Sequence, residues 1–368
     1  MEVEALIREA IRDIKPYVPG KPIEEVQREL GLSDVVKLAS NENPLGPSPL
    51  AIKAIQEEAA GVNLYPDGTC FELRRALAQH LQVTEESLIL GNGADEIIKL
   101  IAEAFLRPDE EVIVGQPSFS EYDFCAQLMG GKVVPVPLDA EFRFDLPAMA
   151  KRINHGTKLI FICNPNNPTG TIVKRGELVQ FLDQVPPQVL VILDEAYGEF
   201  ADDPDYPQGL ELLPNYPNLV VLRTFSKVYG LAGLRVGYGV GNPEVISWIH
   251  RVREPFNVNR LAQKAACAAL GDGAHVKRTQ ENNQQGKRYL YGELARLGLA
   301  YLPTQANFIF VNVGRDSRKV FQALLKEGVI TRTGDIFGLD NFLRISIGKP
   351  EENRKLVSAL EKVLSQVD

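Results

Sequence analysis

Cysteine and histidine are scarce in this 368-residue chain, four of each, and there are only three methionines and one tryptophan. Cys70, Cys125, Cys163 and Cys267 are scattered with no C-x-x-C spacing. That excludes a zinc ribbon or a disulfide framework and fits reduced, buried thiols in a cytoplasmic protein. There is no H-E-x-x-H and no Ser/His/Asp set, so neither a metal centre nor a hydrolase is expected. G-x-G-x-x-G and G-x-x-x-x-G-K-[ST] are missing too, which removes the dinucleotide and nucleoside-triphosphate fingerprints. Apolar runs long enough to cross a bilayer are absent. The start, MEVEALIREAIRDI, is acidic and amphipathic rather than basic and then apolar, so no signal peptide is expected. Positive charge is also short: 40 Lys and Arg against 48 Asp and Glu leave a net charge of −8. A nucleic-acid partner would want a basic patch, and a membrane partner is likewise not expected.

What remains is an ordinary globular balance, with 45% hydrophobic and 24% charged residues and no internal repeat. The amphipathic start predicts an opening helix to about Ile14, followed by the proline-rich KPYVPGKP. PIEEVQREL predicts a short helix ended by Gly31. SNENPLGPSP is a loop that feeds the helix LAIKAIQEEAA. From there short Val/Ile/Leu runs (SLIL, EVIVG, KVVPVPL, KLIFIC, VLVIL, NLVVL) are separated by helical segments. That alternation is the signature of an α/β fold, with a mostly parallel central sheet covered by helices. After Gly241 the pattern changes to a long helical stretch from PEVISWIHRV to QKAACAAL, then a smaller α+β unit with the strands NFIFVNV and FLRISIG. The division this implies is a large domain over residues 39–250 and a small one over 251–368, joined by residues 1–38 from the other chain end. The boundary helix is expected at about 243–280.

In four of the strand segments, unusual residues fall at or just past the carboxyl end. SLIL runs into Gly91-Asn92-Gly93-Ala94-Asp95, and KLIFIC into Asn164-Pro165-Asn166-Asn167-Pro168-Thr169-Gly170. VLVIL runs into Asp194-Glu195-Ala196-Tyr197, and NLVVLR into Thr224-Phe225-Ser226-Lys227. Open parallel sheets bind ligands beyond the carboxyl ends of their strands. The first loop opens a helix with small residues, whose free N–H groups suit a phosphate. Asp194 follows five apolar residues, and a buried carboxylate there needs a cation, such as a protonated ring nitrogen. Lys227 is the only lysine at this rim and can act as a nucleophile toward a carbonyl. Thr224, Ser226 and Arg235 supply donors for a phosphate ester. The ligand these parts describe is a phosphorylated, nitrogen-bearing aldehyde held by an amine, which is pyridoxal 5'-phosphate.

The chain resembles the fold-type-I pyridoxal-phosphate-dependent aminotransferases. The resemblance rests on SNENPLGPSP, LYPDG, GNGADE, NPNNPTG, DEAYGEF, TFSKVYGLAGLRVGY, ANFIFV and LRISIG, in that order. It implies that Lys227 holds the cofactor aldehyde, that Asp194 pairs with the pyridine nitrogen and that Tyr197 and Asn167 bond the ring's phenolic oxygen. Ala94 and Asp95, with Thr224, Ser226 and Arg235, would hold the phosphate. Phe119 would stack on the ring, where many relatives have tyrosine, and Tyr65 would reach the cofactor of the neighbouring subunit of a homodimer. Arg344 would bind the substrate carboxylate; Arg332, Tyr17 and Asn167 would also line the substrate site. The activity implied is amino exchange between L-histidinol phosphate and 2-oxoglutarate. The alternatives on this scaffold are an aromatic amino acid aminotransferase and a threonine-phosphate decarboxylase.

Overall fold

The computed structural model of the chain describes residues 6–16 and 20–366. The opening helix expected to run to Ile14 is not found among them. A 3-10 turn at Glu9–Ile11 stands in its place, and none of its residues is buried. The Arg8 guanidinium ties the segment to the Leu128 carbonyl at 2.7 Å, but with none of the turn's residues buried it does not sustain a helix. The helix α1 (Ile23–Leu30) ends at Gly31, whose φ of 68° closes it as expected. After β1 (Val36–Lys37), α2 (Pro49–Glu58) starts at a proline. The Ser48 hydroxyl accepts from the Leu50 and Ala51 N–H groups there.

The alternating part follows as α3 (Phe71–Leu81), β2 (Leu88–Gly91), α4 (Ala94–Phe105), β3 (Glu111–Gln116), α5 (Glu121–Leu128), β4 (Lys132–Pro137) and α6 (Leu146–Arg152). It continues with β5 (Thr157–Cys163), α7 (Arg175–Leu182), β6 (Leu190–Asp194), α8 (Gly209–Leu212), β7 (Leu219–Thr224) and β8 (Gly237–Gly241). Seven strands form one sheet in the order β2-β8-β7-β6-β5-β3-β4. Every neighbouring pair from β4 to β7 is parallel, and β8 runs antiparallel between β7 and β2. The fold is therefore α/β with a mostly parallel sheet. β8 was not expected from its residues, Gly-Tyr-Gly-Val-Gly, which have little intrinsic strand preference. Pairing on both edges holds it in place. One apolar core joins β3, β5, β6 and β7 to α4, α5, α6 and α7. A second joins α3 to β8 and to the segment Phe225–Leu231.

The helical stretch expected to run unbroken from residue 243 is divided into α9 (Pro243–Val252) and α10 (Arg260–Leu270), followed by α11 (Gly273–Arg296). Pro255 interrupts the first break. Asn259 caps α10, and Asp272 caps α11. Ala262, Ala265, Ala266 and Ala269 of α10 are buried with Leu73, Leu77 and Tyr238, so α10 packs on the side of the large sheet. The last part comprises β9 (Ala300–Leu302), β10 (Phe308–Asn312), α12 (Ser317–Lys326), β11 (Val329–Ile330), β12 (Arg332–Thr333), β13 (Phe342–Ser346) and α13 (Pro350–Leu364). β12-β13-β10-β9 is an antiparallel sheet, while β1 pairs in parallel with β11. Leu38, just after β1, is buried with Ile309, Leu343 and Leu356. Both ends of the chain thus share the smaller unit.

Candidate active site

The carboxyl ends of β5, β6 and β7 lie side by side. β2, reached through the antiparallel β8, runs in the same direction. Their four loops converge on a cavity of about 240 Å³. It brings together Ala94, Asp95, Phe119, Asn167, Asp194, Tyr197, Thr224, Ser226, Lys227 and Arg235. An adjoining hollow of about 160 Å³ shares Phe119, Asn167, Tyr197 and Lys227 and adds Arg332 and Arg344. Ten dispersed sequence positions therefore meet in one space, and both arginines stand beside it.

One end of the cavity is an anion cup. α4 starts at Ala94 with no side-chain cap, because Gly93 precedes it at a φ of 83°. The first N–H groups of the helix are left without intrahelical partners, and the helix dipole adds positive charge there. At that φ a side chain would be strained, and its Cβ would lie 2.5 Å from the Arg235 Nη2, pressing on the guanidinium. Arg235 donates to Asp95 Oδ2 at 2.8 Å and to Ser226 Oγ at 3.4 Å, and Thr224 donates to Ser226 at 2.9 Å. Arg235 is thus paired with Asp95 by the chain itself.

In the middle stands Asp194, only 3% exposed. Its Oδ2 accepts from the Tyr122 hydroxyl at 2.7 Å and its Oδ1 from the Ala196 N–H at 3.0 Å. Burial pushes its carboxyl up to about 6, although these two bonds pull it back. Two neutral donors are less than a buried carboxylate requires, and a cation in the cavity would complete its environment. The donor set fits a protonated ring nitrogen at one end of the ligand and a phosphate at the other.

Lys227 Nζ lies 3.5 Å from the Ser40 carbonyl oxygen and 5.3 Å from the centre of the Tyr197 ring. The loop that carries it doubles back tightly. Gly230, at a φ of 71°, touches Gly46 so closely that a Cβ would collide with the Gly46 carbonyl. The Tyr197 hydroxyl accepts from Asn41 Nδ2 at 3.0 Å. Asn167 Oδ1 accepts from Arg344 Nη1 at 2.6 Å, and Arg344 Nη2 donates to the Ala39 carbonyl at 2.6 Å. Arg344 is buried, although by its place on an alternating strand alone a solvent-facing residue is the better reading. Phe119 presents its ring to both hollows and meets Tyr122 edge-on at 5.6 Å.

Tyr65 is expected to serve the neighbouring subunit's cofactor, and it does not line this chain's own cavity. It is 80% exposed and stacks on Phe256 at 4.8 Å, away from these loops. Tyr17 lies outside the described residues. Conversely, Tyr122 and Asn41 were not expected as site residues. Tyr122 stands three residues after Phe119, in the first turn of α5, where the two rings meet edge-on. Asn41 lies in the quoted SNENP loop at a φ of 55°, a conformation that asparagine tolerates better than most residues.

The family model for class I and II aminotransferases matches residues 33–360. The chain is 59% identical to histidinol-phosphate aminotransferase of Moorella thermoacetica over 97% of its own length and 93% of that protein's. It is 50% identical to the enzyme of the same name from Symbiobacterium thermophilum, covering 98% of the chain and 99% of the relative. Among solved structures, histidinol-phosphate aminotransferase from Sinorhizobium meliloti in complex with pyridoxal-5'-phosphate superposes with a TM-score of 0.91. The two share 29% identity, with 98% of each chain covered.

Proposed function

Because the chain belongs to the class I and II aminotransferases, we propose that it exchanges the amino group of L-histidinol phosphate with 2-oxoglutarate, giving imidazole-acetol phosphate and L-glutamate. The observation that carries this reading is the shared cavity. Lys227, Asp194 and the amino end of α4 surround one space, and Arg344 and Arg332 border its continuation. The cofactor is pyridoxal 5'-phosphate, which when bound supplies an electron sink for negative charge at the substrate's α-carbon. Asp194 holds the ring nitrogen in its protonated form, since a buried carboxylate favours an adjacent cation. Ala94, Asp95, Thr224, Ser226 and Arg235 hold the phosphate. Phe119 covers the ring face, and Tyr197 and Asn167 orient the ring oxygen. Lys227 would hold the aldehyde, and its amine would move the proton at the substrate's α-carbon. Arg344 receives the α-carboxylate of glutamate as a planar fork meeting a planar anion. Arg332, with Tyr17, takes the distal anion.

A homodimer belongs to this proposal. Leu64, Tyr65, Phe71 and Phe256 are exposed large apolar residues, and a second subunit covering them would carry Tyr65 to its neighbour's phosphate. No helix among the described residues is long and apolar enough to cross a membrane, which is compatible with a cytoplasmic site of action.

The test begins with borohydride reduction after incubation with pyridoxal 5'-phosphate, which should label Lys227. A half-reaction panel of histidinol phosphate, phenylalanine, tyrosine, aspartate and threonine phosphate should then run fastest with histidinol phosphate. Lys227→Ala should lower turnover by roughly 10²–10⁴-fold or more. A faster rate with phenylalanine would overturn the substrate. Carbon dioxide released from threonine phosphate, without glutamate-dependent exchange, would replace transamination by a lyase reaction.

A further inference from the structure

We infer that Asn41 is a positioning residue that sets the direction of the Tyr197 hydroxyl proton, reserving it for the cofactor's ring oxygen. The inference rests on the cofactor reading above. Asn41 is 1% exposed and sits at a φ of 55°. Asparagine tolerates that conformation, and its surroundings fix it there. Here they hold every polar group it has. Its backbone N–H donates to Ser346 Oγ at 2.8 Å, and its carbonyl accepts from Asn307 Nδ2 at 2.9 Å. Ser346 Oγ, already an acceptor, gives its own proton to Asn41 Oδ1 at 3.0 Å. With Oδ1 receiving the Ser346 proton, the NH2 group of the amide faces the Tyr197 oxygen at 3.0 Å.

The polarity of that last bond decides the chemistry. Because Tyr197 Oη accepts from Asn41, the phenol keeps its own proton for a different acceptor. The protein offers none nearby. Lys227 lies over the Tyr197 ring face and, when charged, only donates. Asn167 Oδ1 is taken by Arg344. Among the described residues no hydrogen bond donated by Tyr197 is found. The donation from Asn41 also strengthens the phenol as a donor, since hydrogen bonds in a chain polarise one another. Ser346 stands two residues along β13 from Arg344, so one strand supports both the hydroxyl and the carboxylate-binding arginine.

The test is a pH titration of the visible absorbance of the cofactor-loaded, full-length protein without substrate. A hydrogen bond donated to an oxygen favours its anionic form. Withdrawing it therefore raises the pH at which the proton shared between that oxygen and the Lys227 nitrogen is lost. Asn41→Asp replaces a donor with a group that only accepts, so it should draw the Tyr197 proton to itself. The midpoint should rise by about 0.5–1 pH, the scale of a weakened charge-assisted hydrogen bond, in the same direction as in Tyr197→Phe. In the double variant Asn41→Asp should add nothing beyond Tyr197→Phe. Ser346→Ala, which frees the amide, should shift the midpoint the same way by less. It carries the test if circular dichroism finds Asn41→Asp unfolded. Lys227, Asp194, Asp95, Arg235, Arg332 and Arg344 surround the cavity unchanged throughout. An undiminished Asn41→Asp shift in the Tyr197→Phe background would overturn the inference, since the new charge would then act by itself. So would an unmoved midpoint in folded Asn41→Asp and Ser346→Ala proteins alongside a shifted Tyr197→Phe. A parent protein that forms no reducible adduct at Lys227 would overturn the cofactor reading as well, which separates the two failures.

Discussion

Asp194 and Glu195 are neighbours at the end of β6, both are buried, and the fold treats them in opposite ways. Glu195 is completed from within the chain. Arg223 donates to its Oε2 through Nε at 2.9 Å and Nη2 at 2.7 Å, and the Gly209 N–H donates to Oε1 at 2.8 Å. Burial works against the Arg223 charge, and the Glu195 carboxylate more than restores it. Asp194 receives only a phenol and one N–H, and among the described residues no lysine or arginine pairs with it. Successive residues of a strand face opposite sides of the sheet, so one carboxylate meets α8 and β7 while the other borders the cavity. A charge matched inside the fold supports the structure. One left short of a cation at a cavity wall is a candidate for binding one.

Glu195→Ala would break this contrast most severely, by stranding a buried guanidinium. It should cost about 3–5 kcal/mol of unfolding free energy, with and without cofactor, as read from urea denaturation. Glu195→Leu combined with Arg223→Met should recover most of that loss. An Arg223 that tolerates Glu195→Ala would mean that the pair is not structural.

Asp194→Asn should act in the other direction. The folded carboxyl titrates at about 6 against an ordinary value of 3.8. The folded state thus binds this proton more tightly than the unfolded state. The penalty is absent below about pH 4, grows as pH rises to about 6 and is complete above it. Cofactor-free Asp194→Asn should therefore be more stable than the parent at pH 7, by roughly 1–3 kcal/mol, with the two converging near pH 4. Cofactor-loaded Asp194→Asn should lose activity. A stability difference that does not vary between pH 4 and 7 would remove the titration argument.

The smallest change is expected from Phe119→Tyr. It keeps the ring that faces the cavity and adds one hydroxyl, so cofactor affinity should move by less than about 1 kcal/mol, roughly fivefold. A fluorescence titration giving more than tenfold would show that a hydrogen bond at this site matters as much as the ring.

Much of the site was legible because its residues follow strand ends, and strand ends can be read from short apolar runs. Lys227, Asp194, Tyr197 and the α4 turn were found in that way. Other features had no local signal. β8 is built from glycines flanking Tyr238 and Val240, and only its two neighbours make it a strand. Pro255 and Asn259 divide the helical stretch after residue 243, a break that helical periodicity alone does not reveal.

By itself the sequence determined most of the element types, the layered α/β plan and the stock of donors and acceptors at the rim. Those depend on periodicity, turn residues and side-chain chemistry, all of which are local. Only the tertiary structure decided which groups meet. Tyr122 reaches Asp194 across 72 residues, Asn41 reaches Tyr197 across 156, and Arg344 reaches Asn167 across 177. Hydrogen bonds of that separation depend on how sheets and loops are stacked in space, so no window of sequence contains both partners.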